Sequence, residues 1–396
     1  MDKRWYDDRS GRHDAAKGGG GHLGRPIYLD FNASTPIAPE AVEAMRPFLA
    51  GHYGNPSSLH WAGAPAKDAV ETARGQVAST LGCDPTEVVF TSGGSEANNH
   101  AIKGVFLANR SRGDHIVTTA VEHPATIEPC RFLQRSLGAN VTVLPVDRFG
   151  RVDPDDVRKA ITPRTVLITV MQANNEVGTV EPVPEIAKIA READIPFHTD
   201  AAQTVGKIPT DVDDLGVDLL SVAGHKVYAP KGVGALYIRE RTRIEPFVHG
   251  AGHEGGRRAG TENVLLALAL GAASATAREW AGMPRVKALR DGFWEGLKGI
   301  FGKRVTQNGH PSECLPNTLN VNFIGRVGAE VLASLPGVAA STGSACHAGS
   351  VTLSPVLVAM GVPAGEGMGA VRFSLGRTTT REELEEVLRL LGKSLR

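Results

Sequence analysis

The chain has 396 residues, with 43 Lys+Arg balanced by 43 Asp+Glu, 41% apolar residues, 46 Gly and 4 Cys. A chain this long buries a generous core and is expected to form two domains rather than one. Zero net charge removes the simplest electrostatic case for binding nucleic acid or a membrane surface. The cysteines (Cys83, Cys130, Cys314, Cys346) lie far apart, with neither CxxC nor Cys/His zinc spacing, which argues against a disulfide framework or a zinc site. The N-terminus is polar and glycine-rich, without a signal-peptide core, and the apolar stretch Val264 to Ala277 is too short to span a bilayer. Together these features predict a soluble, cytosolic enzyme.

Along the chain, residues 1–25 mix charges with Gly18–Gly21 and read as a disordered tail. Order begins at Ile27-Tyr28-Leu29-Asp30. Short β-branched runs follow at Glu87–Thr91, His115–Thr119, Val141–Val146, Thr165–Met171 and Phe197–Thr199. Helical stretches such as Pro65–Leu81, Glu96–Ala108, Asp153–Ile161 and Val183–Ala193 separate them. Such alternation predicts an α/β domain whose mostly parallel sheet is covered on both faces. After Val233–Arg239 a helical region runs from about Glu262 to Ile300. The strand-like Leu315–Ile324, a helix, a Gly/Ser stretch, Ala370–Gly376 and a terminal helix then predict a smaller α+β domain.

Walker A, GxGxxG, HExxH and GxSxG are all missing, so a cofactor must be held another way. In Val88–Gly104 (VVFTSGGSEANNHAIKG) the strand–glycine turn–helix pattern puts Gly94 and Ser95 either at an anion-binding helix N-terminus or in an ordinary capped βα turn. Asp200 ends an apolar strand, where it either faces a ligand or caps the next turn. Lys226 follows a strand and a Gly-His pair. It is the candidate imine-forming amine, with Lys207 and Lys231 as controls that represent ordinary lysines. Cys346 lies among small residues in STGSACHAGS, either as a reactive loop thiol or as an inert one.

In chain order, YLDFNASTP, YGNPSSLH, TSGGSEANN, EHPA, NNEVG, HTDAAQ, GHK, GRRAGTEN, LPNTLN, GSAC and RFSLGR resemble the cysteine desulfurase family from about Tyr28 to the C-terminus. These are pyridoxal-phosphate enzymes of the aspartate-aminotransferase fold type. The resemblance implies fold type I: a large domain (39–275) with a mostly parallel, mixed seven-stranded sheet flanked by helices, and a small C-terminal α+β domain (276–396) joined by residues 26–38. It further implies that Lys226 carries pyridoxal 5'-phosphate and that His123 stacks on the ring and moves protons. Asp200 would hold the ring nitrogen, with Asn175 and Gln203 near the ring oxygen and substrate. Gly94, Ser95, Ser221 and His225 would cradle the phosphate, joined by Thr261 from the other subunit of a homodimer. Arg372 would grip the substrate carboxylate beside Asn32. Cys346 would take the sulfur of L-cysteine as a persulfide for a protein acceptor, leaving L-alanine, while Cys83, Cys130 and Cys314 are dispensable.

That acceptor would serve iron–sulfur cluster assembly, tRNA thiolation or DNA phosphorothioation. Direct nucleic-acid or membrane binding is not expected, nor is a metal. Four positions depart from the common pattern: Ser95 for threonine, Gln172 and Ala173 before the Asn pair, and His347 after the cysteine. MQANNEVG and ACH are closer to selenocysteine lyases, which stand as the alternative to a desulfurase. A non-catalytic sulfur-transfer scaffold is a third reading.

Overall fold

The computed structural model describes residues 26–279, 281–342, 344–347 and 350–395, without the side chains of 344–347, 350 and 351. The expected tail 1–25, and Gly343, Ala348 and Gly349 of the Cys346 loop, lie outside the described residues.

Seven strands form one sheet, in the spatial order Val88–Thr91, Gly234–Ile238, Leu219–Ala223, Phe197–Asp200, Thr165–Thr169, His115–Thr119 and Asn140–Leu144. Gly234–Ile238 runs antiparallel to both its neighbours, and the other six strands point one way. The expected mixed, mostly parallel sheet is what forms. Its central strands are buried along their whole length, as in TVLIT and LLSVA, because helices cover both faces. On one face Val70, Ala73 and Val77 of Ala64–Leu81, Ile186 of Val183–Glu192 and Leu270 of Val264–Glu279 build a single apolar core. On the other, Ile102 and Phe106 of Gly94–Ala108 pack with Cys130 and Leu133 of Pro124–Leu137.

A second, antiparallel sheet has the order Ser341–Thr342, Ala370–Ser374, Thr318–Phe323, Val305–Asn308. The helices Met283–Phe301 and Arg381–Ser394 supply its core, where Phe293 meets Phe373 edge to face at 5.2 Å. Ile27–Tyr28 pairs with Val338–Ala339, which ties the N-terminal segment to this unit. The helical region expected from Glu262 to Ile300 is two helices, Val264–Glu279 and Met283–Phe301. Gly282 precedes the second, and Pro284 at its start cannot donate into a preceding turn, so one continuous helix is not available. Among the described residues no helix is long and apolar enough to cross a membrane.

Candidate active site

The parallel strands all end at one edge of the large sheet, and the connections leaving that edge hold the candidate residues, as open α/β sheets arrange them. A cavity of about 570 Å³ there is lined by Gly94, Ser95, His123, Asn175, Asp200, Gln203, His225 and Lys226. Eight positions spread over more than a hundred residues of chain thus share one wall.

The anion end starts at Gly93, whose φ of 151° is a conformation L side chains rarely adopt. It opens the helix Gly94–Ala108. A Cβ on Gly94 would lie 3.1 Å from Ala223 Cβ, a tight contact that glycine avoids where the helix starts close to the neighbouring strand. The first N–H groups of that helix have no intrahelical acceptor and face the cavity end, as an anion requires. Burial, with the charges of Lys226 and Lys231, pushes His225 down to about 4, so its imidazole is neutral at ordinary pH.

Asp200 is 7% exposed and both its oxygens are engaged: Oδ2 accepts from Asn98 Nδ2 at 2.7 Å and Oδ1 from the Ala202 N–H at 2.9 Å. Asn98 is a functional residue the sequence reading missed. Its signal was the spacing in SEANN, where it stands three residues after Ser95 on the helix facing the strand. Above the cavity, His123 caps the helix Pro124–Leu137, and its Nδ1 accepts the Ala125 N–H at 3.1 Å. A neutral ring so bonded carries its proton on Nε2. Burial lowers the His123 pKa, opposed by Asp200 and reinforced by Lys226.

Lys226 lies in the turn Gly224–Lys226 after Leu219–Ala223, and its Nζ donates to the Asn32 carbonyl at 2.8 Å. Burial is the main force that pushes its amine down to about 8; Arg372 adds to that, while Asp200 and Asp30 oppose it. A neutral amine is the nucleophilic form. In protein free of cofactor, aldehyde uptake by Lys226 should therefore rise with pH and be half-maximal near 8 rather than above 10. Peptide mass mapping after borohydride trapping reads this. Of the two controls, Lys231 is exposed at the rim, whereas Lys207 points inward behind Lys226.

Arg372 sits on the second sheet, 8% exposed. Nη2 donates to Asp30 Oδ1 at 2.8 Å and Nη1 to the Asn175 carbonyl at 3.0 Å. Asn32 Nδ2 reaches the same Asn175 carbonyl at 3.2 Å, so Arg372 and Asn32 border the cavity through Asn175.

Three expected positions are not gathered here. Ser221 is a correction: it is fully buried in mid-strand, with Oγ 2.9 Å from His198 Nε2, and does not line the cavity. The residue two positions further on, Ala223, does, because the strand points alternate residues to one face and only its end reaches the cavity. Thr261 is exposed and lines an adjoining cavity of about 250 Å³, which shares Ser92 and Gly232 with the first. The Cys346 side chain lies outside the described residues; the backbone Ser344–His347 pairs with Ser350–Leu353 as a hairpin. Of the other thiols, Cys83 and Cys130 are each pushed up to about 12, chiefly by burial, and Cys314 Sγ lies 3.3 Å from Arg290 Nη1.

The donor set fits pyridoxal 5'-phosphate. A helix N-terminus without Cβ obstruction suits its phosphate, a depressed lysine its aldehyde, and a buried, doubly bonded carboxylate its ring nitrogen. The aminotransferase class-V family model matches residues 27–387. A cysteine desulfurase IscS of Dictyoglomus turgidum is 49% identical over 379 residues, covering 93% of this chain and 94% of the relative. A solved NifS-like protein superposes with a TM-score of 0.87 at 35% identity, covering 93% of this chain and 98% of the other. The structure described as SspA in complex with cysteine gives 0.78 at 39% identity, covering 88% of this chain and 98% of the other.

Proposed function

Because the chain belongs to the cysteine desulfurases within the class-V aminotransferase family, which depend on pyridoxal phosphate, we propose that it converts L-cysteine to L-alanine and keeps the sulfur as a persulfide on Cys346. The observation that carries this reading is the buried amine of Lys226, depressed to about 8, in one cavity with Asp200 and beside Arg372.

Lys226, Asp200, His123, Gln203 and the Gly94–Ser95 helix start hold the cofactor, with His225 at the phosphate end and Asn175 towards the substrate. When bound, the cofactor supplies an electron sink for charge developing at the substrate Cα. The protein does the rest. Arg372 takes the substrate carboxylate, its guanidinium plane already set by Asp30 and the Asn175 carbonyl. Lys226 removes the Cα proton in its neutral form. His123 Nε2, facing the cavity, delivers a proton towards the departing side. The Cys346 thiolate attacks the substrate sulfur: the S–S bond forms as the Cβ–S bond breaks, and the electron pair stays on the carbon fragment. That fragment takes protons to become L-alanine, so one thiol and one cysteine give one persulfide and one alanine with no outside oxidant.

The enzyme acts as a cytoplasmic homodimer in this reading, Thr261 of each subunit completing the other's phosphate seat, and a protein thiol accepts the sulfur. Thr261 is exposed and does not line its own chain's main cavity, which supports the shared site. Domains of 39–275 and 276–396, with 26–38 joining the second, are part of the proposal. The change from one apolar core to the other supports two domains, with the switch falling after Ala277, a few residues beyond the proposed boundary, and with 26–38 shared between the cores through Ile27 and Leu29 on one side and Phe31 and Ala38 on the other.

Incubating the holoenzyme with L-cysteine should release alanine and add one sulfur to the Cys346 peptide. In Cys346→Ala the persulfide should disappear and alanine formation should fall at least about a hundredfold. Wild-type protein that makes no alanine from cysteine, or that carries the sulfur on Cys83, Cys130 or Cys314, would sink the proposal; turnover of selenocysteine alone would favour a lyase.

A further inference from the structure

Behind the amine of Lys226 lies a second one. Lys207 follows the strand Phe197–Asp200 in a turn where its N–H donates to the Thr204 carbonyl at 2.8 Å. Its Nζ donates to Gln203 Oε1 at 2.9 Å and to Asn32 Oδ1 at 3.2 Å. Both acceptors are neutral amide oxygens rather than carboxylates. A charged lysine is a donor only, and a neutral amine still keeps two N–H groups. In the arrangement seen, the oxygens of Gln203 and Asn32 face Lys207 and their NH2 groups face away; the charged amine permits no other, and the neutral one still has an N–H for each oxygen.

That choice of amide orientation propagates forward. Gln203 Nε2 is aimed at the Asn32 backbone carbonyl, 3.0 Å away. Asn32 Nδ2 is aimed at Thr318 Oγ1 at 2.8 Å and the Asn175 carbonyl at 3.2 Å, while Asn317 Nδ2 shares Asn32 Oδ1 at 3.0 Å. The Asn32 carbonyl that receives Gln203 also receives Lys226 Nζ at 2.8 Å. Asn32 is 1% exposed and Gln203 4%, so water has little access to replace a lost donor. The two amines thus meet at one residue, Lys207 on the Asn32 side chain and Lys226 on its backbone carbonyl.

We propose that Lys207 is a positioning residue for the reaction: by fixing the Asn32 and Gln203 amides it holds the Asn32 carbonyl where it receives the Lys226 amine. This rests on the reading of Lys226 as the reacting amine. The charged groups facing this corner are Lys226, Arg372 with its partner Asp30, and Asp200. Burial pushes the Lys207 amine well below the usual lysine range, and the positive charges of Lys226 and Arg372 press it the same way. Lys207 serves this arrangement as a hydrogen-bond donor, which it is in either protonation state.

The test compares wild type, Lys207→Met and Lys207→Gln as full-length, cofactor-free protein. Trinitrobenzenesulfonate is the probe, and its modification of Lys226 is followed against pH by peptide mass. The bond to the Asn32 carbonyl favours protonated Lys226. Loosening that carbonyl in Lys207→Met should move the half-maximal pH below that of wild type, with Lys207→Gln, which keeps an N–H donor, in between. A midpoint that rises identifies Lys207 as a repelling charge and overturns the proposal; an unchanged midpoint in folded variants also overturns it. In the holoenzyme, Lys207→Met should lower kcat about tenfold, the scale of one misplaced hydrogen bond, with KM within about threefold. A raised KM with unchanged kcat would again overturn it. If Lys207→Met does not fold, Lys207→Gln carries both measurements. Because the midpoint is read without substrate or cofactor, a wild type that fails to make alanine strikes only the proposed reaction.

Discussion

Lys226→Ala is expected to reduce alanine formation by at least about a thousandfold, since the same group both carries the cofactor and moves the Cα proton. The visible band of lysine-bound cofactor should vanish with it. Thermal unfolding against pH separates this from a loss of folding. The folded-state pKa of Lys226 lies near 8, below the unfolded lysine value, so burying its charged form opposes folding at low pH. That penalty is fully present below about pH 8 and fades as pH rises from there towards the unfolded value of about 10.4. Without cofactor, the variant should therefore gain thermal stability over wild type at pH 7, and the gain should shrink by pH 10. Thermal unfolding at the two pH values measures the sign directly. A variant that melts lower than wild type at pH 7 would mean that the lost packing outweighs the relieved charge.

Glu254→Ala should produce the largest loss of stability. Glu254 is 7% exposed and Arg74 also 7%, and they form a bidentate pair: Arg74 Nη1 to Oε2 at 2.6 Å and Nη2 to Oε1 at 3.1 Å. Oε2 also accepts the Phe90 N–H at 2.9 Å, and Arg74 Nη1 reaches the Val88 carbonyl at 2.8 Å. The pair thus pins the turn Glu254–Gly256 to the edge strand and to the helix Ala64–Leu81. Removing Glu254 leaves a buried guanidinium with only the half-exposed Glu71, 3.3 Å away, as a charge partner, a loss approaching about 3–5 kcal/mol. The denaturant midpoint should fall accordingly. Replacing both, as Arg74→Met with Glu254→Leu, should recover part of it, because no buried charge is left unpaired although the Phe90 N–H and the Val88 carbonyl lose their partners. The same turn leads to Arg258, which pairs with Glu96 at 2.9 Å in the first turn of Gly94–Ala108. Cofactor retention should therefore weaken in Glu254→Ala, measured by dialysis and absorbance. Full retention would mean that the Glu96–Arg258 pair alone holds this loop.

Much of the candidate site was legible because its signals are local. Strand, glycine turn and helix in VVFTSGGSEANN are neighbours in the chain, and the backbone of such a turn dictates where Gly94 and Ser95 face. Asp200 and Lys226 follow apolar strands, and strand ends in a parallel sheet meet at one edge. The misplacement of Ser221 shows the limit of this reasoning. Ser221 and Ala223 point to the same face of one strand, and period two separates faces but not depths. Only the partner strand, with His198 2.9 Å from Ser221 Oγ, puts one residue inside the sheet and leaves the other at the cavity.

The even charge balance of 43 against 43 left the interior use of charge undecided. By itself the sequence determined the alternation of strands and helices, the turn chemistry and the candidate nucleophiles, all of which depend on residues a few positions apart. The tertiary structure alone decided what each inward-facing charge meets: Arg74 with Glu254 across 180 positions, Arg372 with Asp30 across 342, and Lys207 with the neutral Asn32 amide across 175. The physical reason is that a lysine, arginine or glutamate reads as solvated in any local window. Its cost or use appears only when distant segments exclude water from it.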